Sequence, residues 1–169
     1  MLVELLTSMA ILLVVLGGIL TSLSSALTGQ ADLQSRFEAQ ETTRLVLTTF
    51  QRDVRCASAI SPASGAATAV SLTLPAGCQQ TSGSLTWCTK PNGARFDVWR
   101  VPGGTCNTSV TGSRRWADKV TTANIFTPDA TAHAGAPVSP SVKLSFAVAT
   151  GKAKYQLTTS IFSRNAVRQ

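Results

Sequence analysis

Leu2-Val3-Glu4-Leu5-Leu6-Thr7-Ser8-Met9-Ala10-Ile11-Leu12-Leu13-Val14-Val15-Leu16-Gly17-Gly18-Ile19-Leu20 decides how the rest of the chain must be built. No charged residue occurs from Leu5 to Ala31, and at about 1.5 Å per helical residue that run can cross a hydrocarbon layer of about 30 Å. Met9 to Leu20 is almost unbroken in apolar residues and glycine, so a helix here has no polar face to offer water and does not read as a core helix. Glu4 stands at the end of the run. A carboxylate carried to mid-bilayer costs about 2.5–3.5 kcal/mol, which marks it as a functional residue with a partner. A secretory signal would place Ser24-Ser25-Ala26 before its cut, but its first segment needs Lys or Arg and this one carries an acid. A plain membrane anchor accounts for the apolar run and leaves Glu4 unexplained.

Working outward, the paired Gly17-Gly18 cost about 1 kcal/mol each in helix propensity, so the helix is expected to bend or loosen there. Beyond Asp32 the helical pattern resumes, with Leu33 and Phe37 four apart and Leu47, Phe50 and Val54 at spacings of three and four. Asp32 and Arg36 have the favourable acid-before-base spacing. No proline precedes Pro62, so one helix from about residue 2 to 57, roughly 80 Å long, is expected. Its first half (1–29) would lie in membrane or in a filament core, and its second half (30–58) would lay an apolar stripe on a globular head (59–169).

Ser61-Pro62-Ala63-Ser64-Gly65 ends the helix, and short strand-like segments follow: Ala69–Leu74, Ser84–Cys88, Arg95–Val101, Val142–Ala149 and Tyr155–Ile161. Val142, Leu144, Phe146 and Val148 alternate with Lys143, Ser145 and Ala147, which is the pattern of a half-buried strand. Pro91-Asn92-Gly93 and Thr150-Gly151-Lys152 read as hairpin turns. Trp116 to Phe126 reads as a short helix leading to a strand, and Pro128 to Pro140 as a loop. The fold class is therefore α+β, a long N-terminal helix followed by an antiparallel β-sheet head.

Cys56, Cys78, Cys88 and Cys106 are an even number, which favours two disulfides in an oxidising compartment. Zinc is the rival reading, but the spacings contain no Cys-x-x-Cys pair and the only histidine is His133. A meander of the first three strands would put Cys56 and Cys88 near one end and Cys78 and Cys106 near the other. Pairs Cys56–Cys88 and Cys78–Cys106 are expected on that ground, with Cys78–Cys88 as the alternative.

The chain has 15 Lys and Arg against 8 Asp and Glu, and the excess lies in the head, where Cys56 to Gln169 holds three acids and eleven bases. Arg114, Arg115 and Lys119, with Lys152 and Lys154, are the densest basic groups and the candidate contacts for DNA or another polyanion, although no aromatic residues are interleaved. A dispersed, solubilising charge is the simpler reading. Catalysis finds little to use: the head's carboxylates, Asp97, Asp118 and Asp129, are unpaired in spacing, and His133 lies among small residues with no nucleophile elbow nearby. No phosphate-loop or dinucleotide fingerprint appears, and no enzyme activity or cofactor is expected.

Leu2-Val3-Glu4-Leu5-Leu6 followed by an apolar run resembles the mature N-terminal segment of type IV pilins and type II secretion pseudopilins. That segment reads aromatic, Thr, Leu, Ile or Val, Glu, Leu, Leu. Matched to it, the family's glutamate falls on Glu4 and its Thr position on Met1, so the basic leader, the glycine of the cleavage site and the first mature residue would precede Met1. Arg95-Phe96-Asp97-Val98-Trp99-Arg100 followed by Phe126-Thr127 is similar to the larger minor pseudopilins of the J type. The resemblance implies a subunit near the tip of a pilus-like or pseudopilus filament, assembling through Glu4, Leu5 and Leu6. It implies other pilin subunits, an inner-membrane assembly platform and a prepilin peptidase as partners. It also implies membrane lipid around the helix before assembly, a single-pass location in a bacterial cytoplasmic membrane with the head outside the cytoplasm, and then a place in an extracytoplasmic filament. Two other functions stay open. One is a minor pilin of a competence or adhesion pilus whose basic head binds DNA or a surface; the other is a membrane-anchored β-domain that does not polymerise.

Overall fold

The computed structural model describes residues 2–78, 83–129, 140–150 and 153–164. Among these residues a single helix, α1 (Leu2–Cys56), precedes eight strands: β1 (Ala59–Ser61), β2 (Ala69–Leu74), β3 (Gly83–Asn92), β4 (Arg95–Pro102), β5 (Arg114–Val120), β6 (Phe126–Asp129), β7 (Ser141–Thr150) and β8 (Ala153–Phe162). This is the expected α+β layout. Every strand pairing is antiparallel.

α1 keeps its helical hydrogen bonding through Gly17-Gly18, where loosening was expected. Thr21 Oγ1 donates to Gly17 O and Gly18 O at 3.1 and 2.9 Å, which satisfies its hydroxyl within the helix. Only the second half of the helix meets the head. Its buried residues are Ala39, Thr43, Val46, Phe50, Asp53 and Val54, whose spacings of three and four place them on one face. Thr43 removes its own hydroxyl from the problem by donating to Ala39 O at 2.6 Å.

The sheet runs β1-β2-β3-β4-β5-β7, and β7 pairs along one edge with β8. Its other edge is shared: β5 meets it at Val120↔Val148, and β6 pairs Phe126–Asp129 with Ser141–Leu144. The segment before β2 then bridges β6 at Ala67↔Phe126 and Ser64↔Asp129, so the sheet curls until its ends approach each other. Inside this curl Phe50 of α1 packs edge-on against Trp87 with ring centroids 5.5 Å apart, and against Phe126 at 5.4 Å. Val142, Leu144, Phe146 and Val148 are all buried, as their alternation required.

Three elements differ from the sequence expectation. β1 pairs antiparallel with β2, Ala59 opposite Thr73, although three residues are too few to show a period. Trp116 to Phe126 holds no helix. It is the end of β5, a connection, and β6, and its alternation is hidden by a register shift between Val98 and Trp99 on the partner strand and by a positive φ of 58° at Lys119. Pro128 and Asp129 belong to β6 rather than to a loop, and Pro140 directly precedes β7; the part of the expected loop between them, 130–139, lies outside the described residues and includes His133, as does the 151–152 part of the second turn. The first hairpin does close next to Gly93, with Asn92 paired to Arg95 and Gly93 at a φ of 61°.

The disulfides are Cys56–Cys78 and Cys88–Cys106, which corrects both the expected pairs and the alternative. The short strand β1 is the reason. Because β1 is antiparallel to β2, the helix end arrives beside Leu74, where Ser58 N donates to Thr73 O at 2.8 Å, and Cys78 follows Leu74 directly around a turn. Cys88 is at the opposite end of β2, across from Ala69. After β4 the chain folds back over the outer face of β3: Gly103 N donates to Ser84 O at 2.7 Å, Thr86 Oγ1 to Gly103 O at 2.7 Å, and Lys90 Nζ to Thr108 Oγ1 at 3.1 Å. Cys88 lies between Thr86 and Lys90 on that face, under Cys106. β3 is therefore covered on both sides, which is why Leu85 to Thr89 are buried without alternation.

Candidate functional site

Two places in the molecule carry more than packing. The first is the uncovered half of α1. From Leu2 to Leu27 every side chain is exposed, including Leu5 and Leu6, each 59% accessible. The helix is long and apolar enough to cross a membrane, with an 18-residue window of mean hydropathy 2.3, none of it buried by the head. Its hydroxyls fit that setting. Thr7 donates to Glu4 O, Ser8 to Leu5 O, Ser25 to Ser22 O and Thr28 to Ser24 O and Ser25 O, all between 2.8 and 3.1 Å. A hydroxyl returned to its own backbone carries little unmet hydrogen-bonding demand into hydrocarbon. Glu4 is the only charged group on this stretch, in the first turn of the helix, where the backbone N–H groups favour an acid.

The second is the joint between helix and head, which sequence reading did not single out. Asp53 is fully buried. Its carboxylate accepts from Trp87 Nε1 at 2.8 Å, from Arg100 Nε at 2.8 Å and from Arg100 Nη2 at 3.4 Å. Trp87 and Arg100 are register partners on β3 and β4, so the acid pins two neighbouring strands to the helix at once. Removing a carboxylate of this kind from water is costly, and charge-assisted bonds from a guanidinium and an indole offset that cost. A signal for it existed: Asp53 falls three residues after Phe50 and beside Val54, on the apolar face. Around the same end, Cys56 is bonded to Cys78, Ser163 Oγ donates to Ala57 O, and Arg164 N donates to Arg55 O at 3.2 Å. The last turn of the helix is thus tied to the middle and the end of the chain.

Among the described candidate polyanion residues, Arg114 and Arg115 lie apart from Lys119 and Lys154. Arg114 and Arg115 open β5 opposite Arg100 and Trp99, and Arg115 Nη1 pairs with Asp97 Oδ2 at 3.3 Å. Lys119 lies at the other end of the same strand, Lys154 is on β8 opposite Ala149, and Lys152 is outside the described residues. The basic side chains that do converge are others. Arg52, Arg55 and Arg164, with Thr48, Gln51 and Cys56, line a cleft of about 430 Å³ beside the end of α1.

Among the described residues no group of three or more His, Cys, Asp or Glu could hold a metal ion, and all four cysteines are in disulfides. Two buried polar atoms, Asp97 Oδ1 and Trp116 Nε1, lack a hydrogen-bond partner among the described residues. No family model, no curated protein and no solved structure matches the chain.

Proposed function

We propose that this chain is a structural subunit of a pilus-like or type II secretion pseudopilus filament, held in a membrane by α1 before assembly and packed through the same helix afterwards. The observation that supports it is the division of α1. A continuous helix about 80 Å long leaves its first half bare and apolar with one acid at its start, while its second half is seated on a β-sheet head. An anchor alone has no use for Glu4. In a filament, Glu4 would neutralise the amino terminus of a neighbouring subunit inside an apolar core, where a charge pair is strong and half a pair is expensive. Leu5, Leu6 and the apolar residues to Leu23 would supply the packing between helices. By resemblance the position is that of a J-type minor subunit near the tip, in a bacterial cytoplasmic membrane with the head outside. Prepilin peptidase, the assembly platform and other pilin subunits would be its partners.

The test is Glu4→Ala in the native membrane. The substitution is expected to leave the head folded and the protein membrane-bound, and to reduce co-purification with partner subunits by an order of magnitude. Undiminished co-purification removes the role of Glu4 and leaves a non-polymerising anchored β-domain. The mass of the amino-terminal peptide supplies a second check: a terminus one residue before Met1 and heavier by one methyl group is expected.

A further inference from the structure

The arginine cleft beside the end of α1 is not used by the assembly reading, and no spacing along the chain groups its members. Arg52 and Arg55 come from the last two turns of the helix, and Arg164 comes from the far end of the chain, over a hundred residues later. What joins them is local: Arg164 N donates to Arg55 O at 3.2 Å, and Ser163 Oγ donates to Ala57 O, so the end of β8 is stitched to the helix end. All three guanidiniums are exposed, and none forms an ion pair among the described residues, unlike Arg36, Arg100 and Arg115. Among the described residues no acid lines the cleft. Thr48 and Gln51 complete its polar wall, and the Cys56–Cys78 disulfide fixes its floor. Arg44, one turn before Thr48, belongs to a separate concavity that it shares with Glu41.

We propose that Arg52, Arg55 and Arg164 bind a phosphate group. Three unpaired cations around one concavity call for an anion of more than one charge, or for a run of single charges, and a lone carboxylate meets neither demand. Guanidinium also matches phosphate in geometry, with two parallel N–H donors to two oxygens. Two bland roles compete: cations near a helix C-terminus favour its dipole, and exposed arginines keep a surface soluble. Neither role predicts saturable binding. The group could be a free phosphate or a phosphate monoester, or it could belong to a nucleic-acid backbone, and the chemistry of capture is the same.

The experiment uses the full chain in zwitterionic lipid nanodiscs with two probes, compared at one ionic strength, and the oligonucleotide is then followed over a series of salt concentrations. Radiolabelled inorganic phosphate is measured by equilibrium dialysis, and a labelled single-stranded oligonucleotide by fluorescence anisotropy. At least one probe is expected to saturate, with Arg52→Gln and Arg164→Gln each weakening it about tenfold and Arg114→Gln leaving it within twofold. Saturation by phosphate alone assigns a small ligand. Oligonucleotide binding at least a hundredfold tighter than phosphate, with a salt slope that falls by about one for each arginine removed, assigns a nucleic-acid backbone. No saturation by either probe, or saturation that Arg52→Gln and Arg164→Gln leave unchanged, overturns the proposal. Lys in place of Arg52 keeps the charge and the helix-end role, so a loss that Arg52→Lys only partly restores identifies the paired-donor geometry. The readout does not depend on filament assembly, so it stands or falls apart from the Glu4 test.

Discussion

From Leu2 to Glu38 the helix exposes every side chain except half-buried Asp32 and Ser35, whereas from Ala39 to Cys56 it seats Val46, Phe50, Asp53 and Val54 in the head. The half that holds most of the large apolar residues buries none of them, and the half that is buried encloses an acid. Hydropathy alone would have ranked these halves the other way. What decides burial is whether the rest of the chain offers a complementary surface, and the head does so over only five turns. No described residue of the head covers the first half, which under the proposed function packs in lipid or against other helices. The second half owes its place to a few specific contacts, which substitutions can test one at a time.

The largest effect is expected at Asp53. Asp53→Ala leaves Arg100 without its carboxylate and Trp87 Nε1 without an acceptor, and a broken buried pair costs about 3–5 kcal/mol. The urea midpoint of the head should fall accordingly. Arg100→Met combined with Asp53→Leu should cost less than Asp53→Ala alone, because no uncompensated charge remains. Equal losses in the two variants would show that shape, not charge pairing, seats the helix.

Next in size are the disulfides. Cysteine-to-serine replacement of Cys56 with Cys78 releases a separation of 22 residues, and of Cys88 with Cys106 one of 18, and loop entropy puts each at about 3 kcal/mol. Both variants should titrate no free thiol and differ in stability by only a few tenths of a kcal/mol. If opening Cys56–Cys78 costs much less than opening Cys88–Cys106, the Asp53 network alone holds the helix end.

These contacts also show what could be read in the chain beforehand. The helix limits, β2 from Ala69 to Leu74 and the buried alternation of β7 were legible because each is long enough for its period to be seen. β1 is not, with three residues, and the consequence spreads: without β1 the helix end falls beside Cys88 instead of Cys78, which leads to the wrong disulfide pairs. β5 failed for a different reason, since a register shift and the left-handed Lys119 break its alternation. Glu4 stood out because its neighbours are uncharged. Asp53 did not, although its place on the Phe50 face was visible, because a buried acid is recognisable only with Arg100, which lies 47 residues away. The cleft of Arg52, Arg55 and Arg164 depends on the return of β8 to the helix end, and no local pattern encodes that.

The smallest effect is expected from the largest change. Deleting residues 2–29 removes no buried side chain, since the first buried residue of α1 is Ala39. The shortened chain should melt with a midpoint corresponding to a difference of less than about 0.5 kcal/mol, the range of surface substitutions distant from the core. It should also leave the membrane fraction, because the apolar span goes with the deletion. Both results together would establish that the uncovered half serves partners and the seated half serves the fold. A head destabilised by more than about 1 kcal/mol would instead mean that the bare helix touches the head in ways its exposure does not reveal, and the division of α1 on which the functional reading rests would no longer hold.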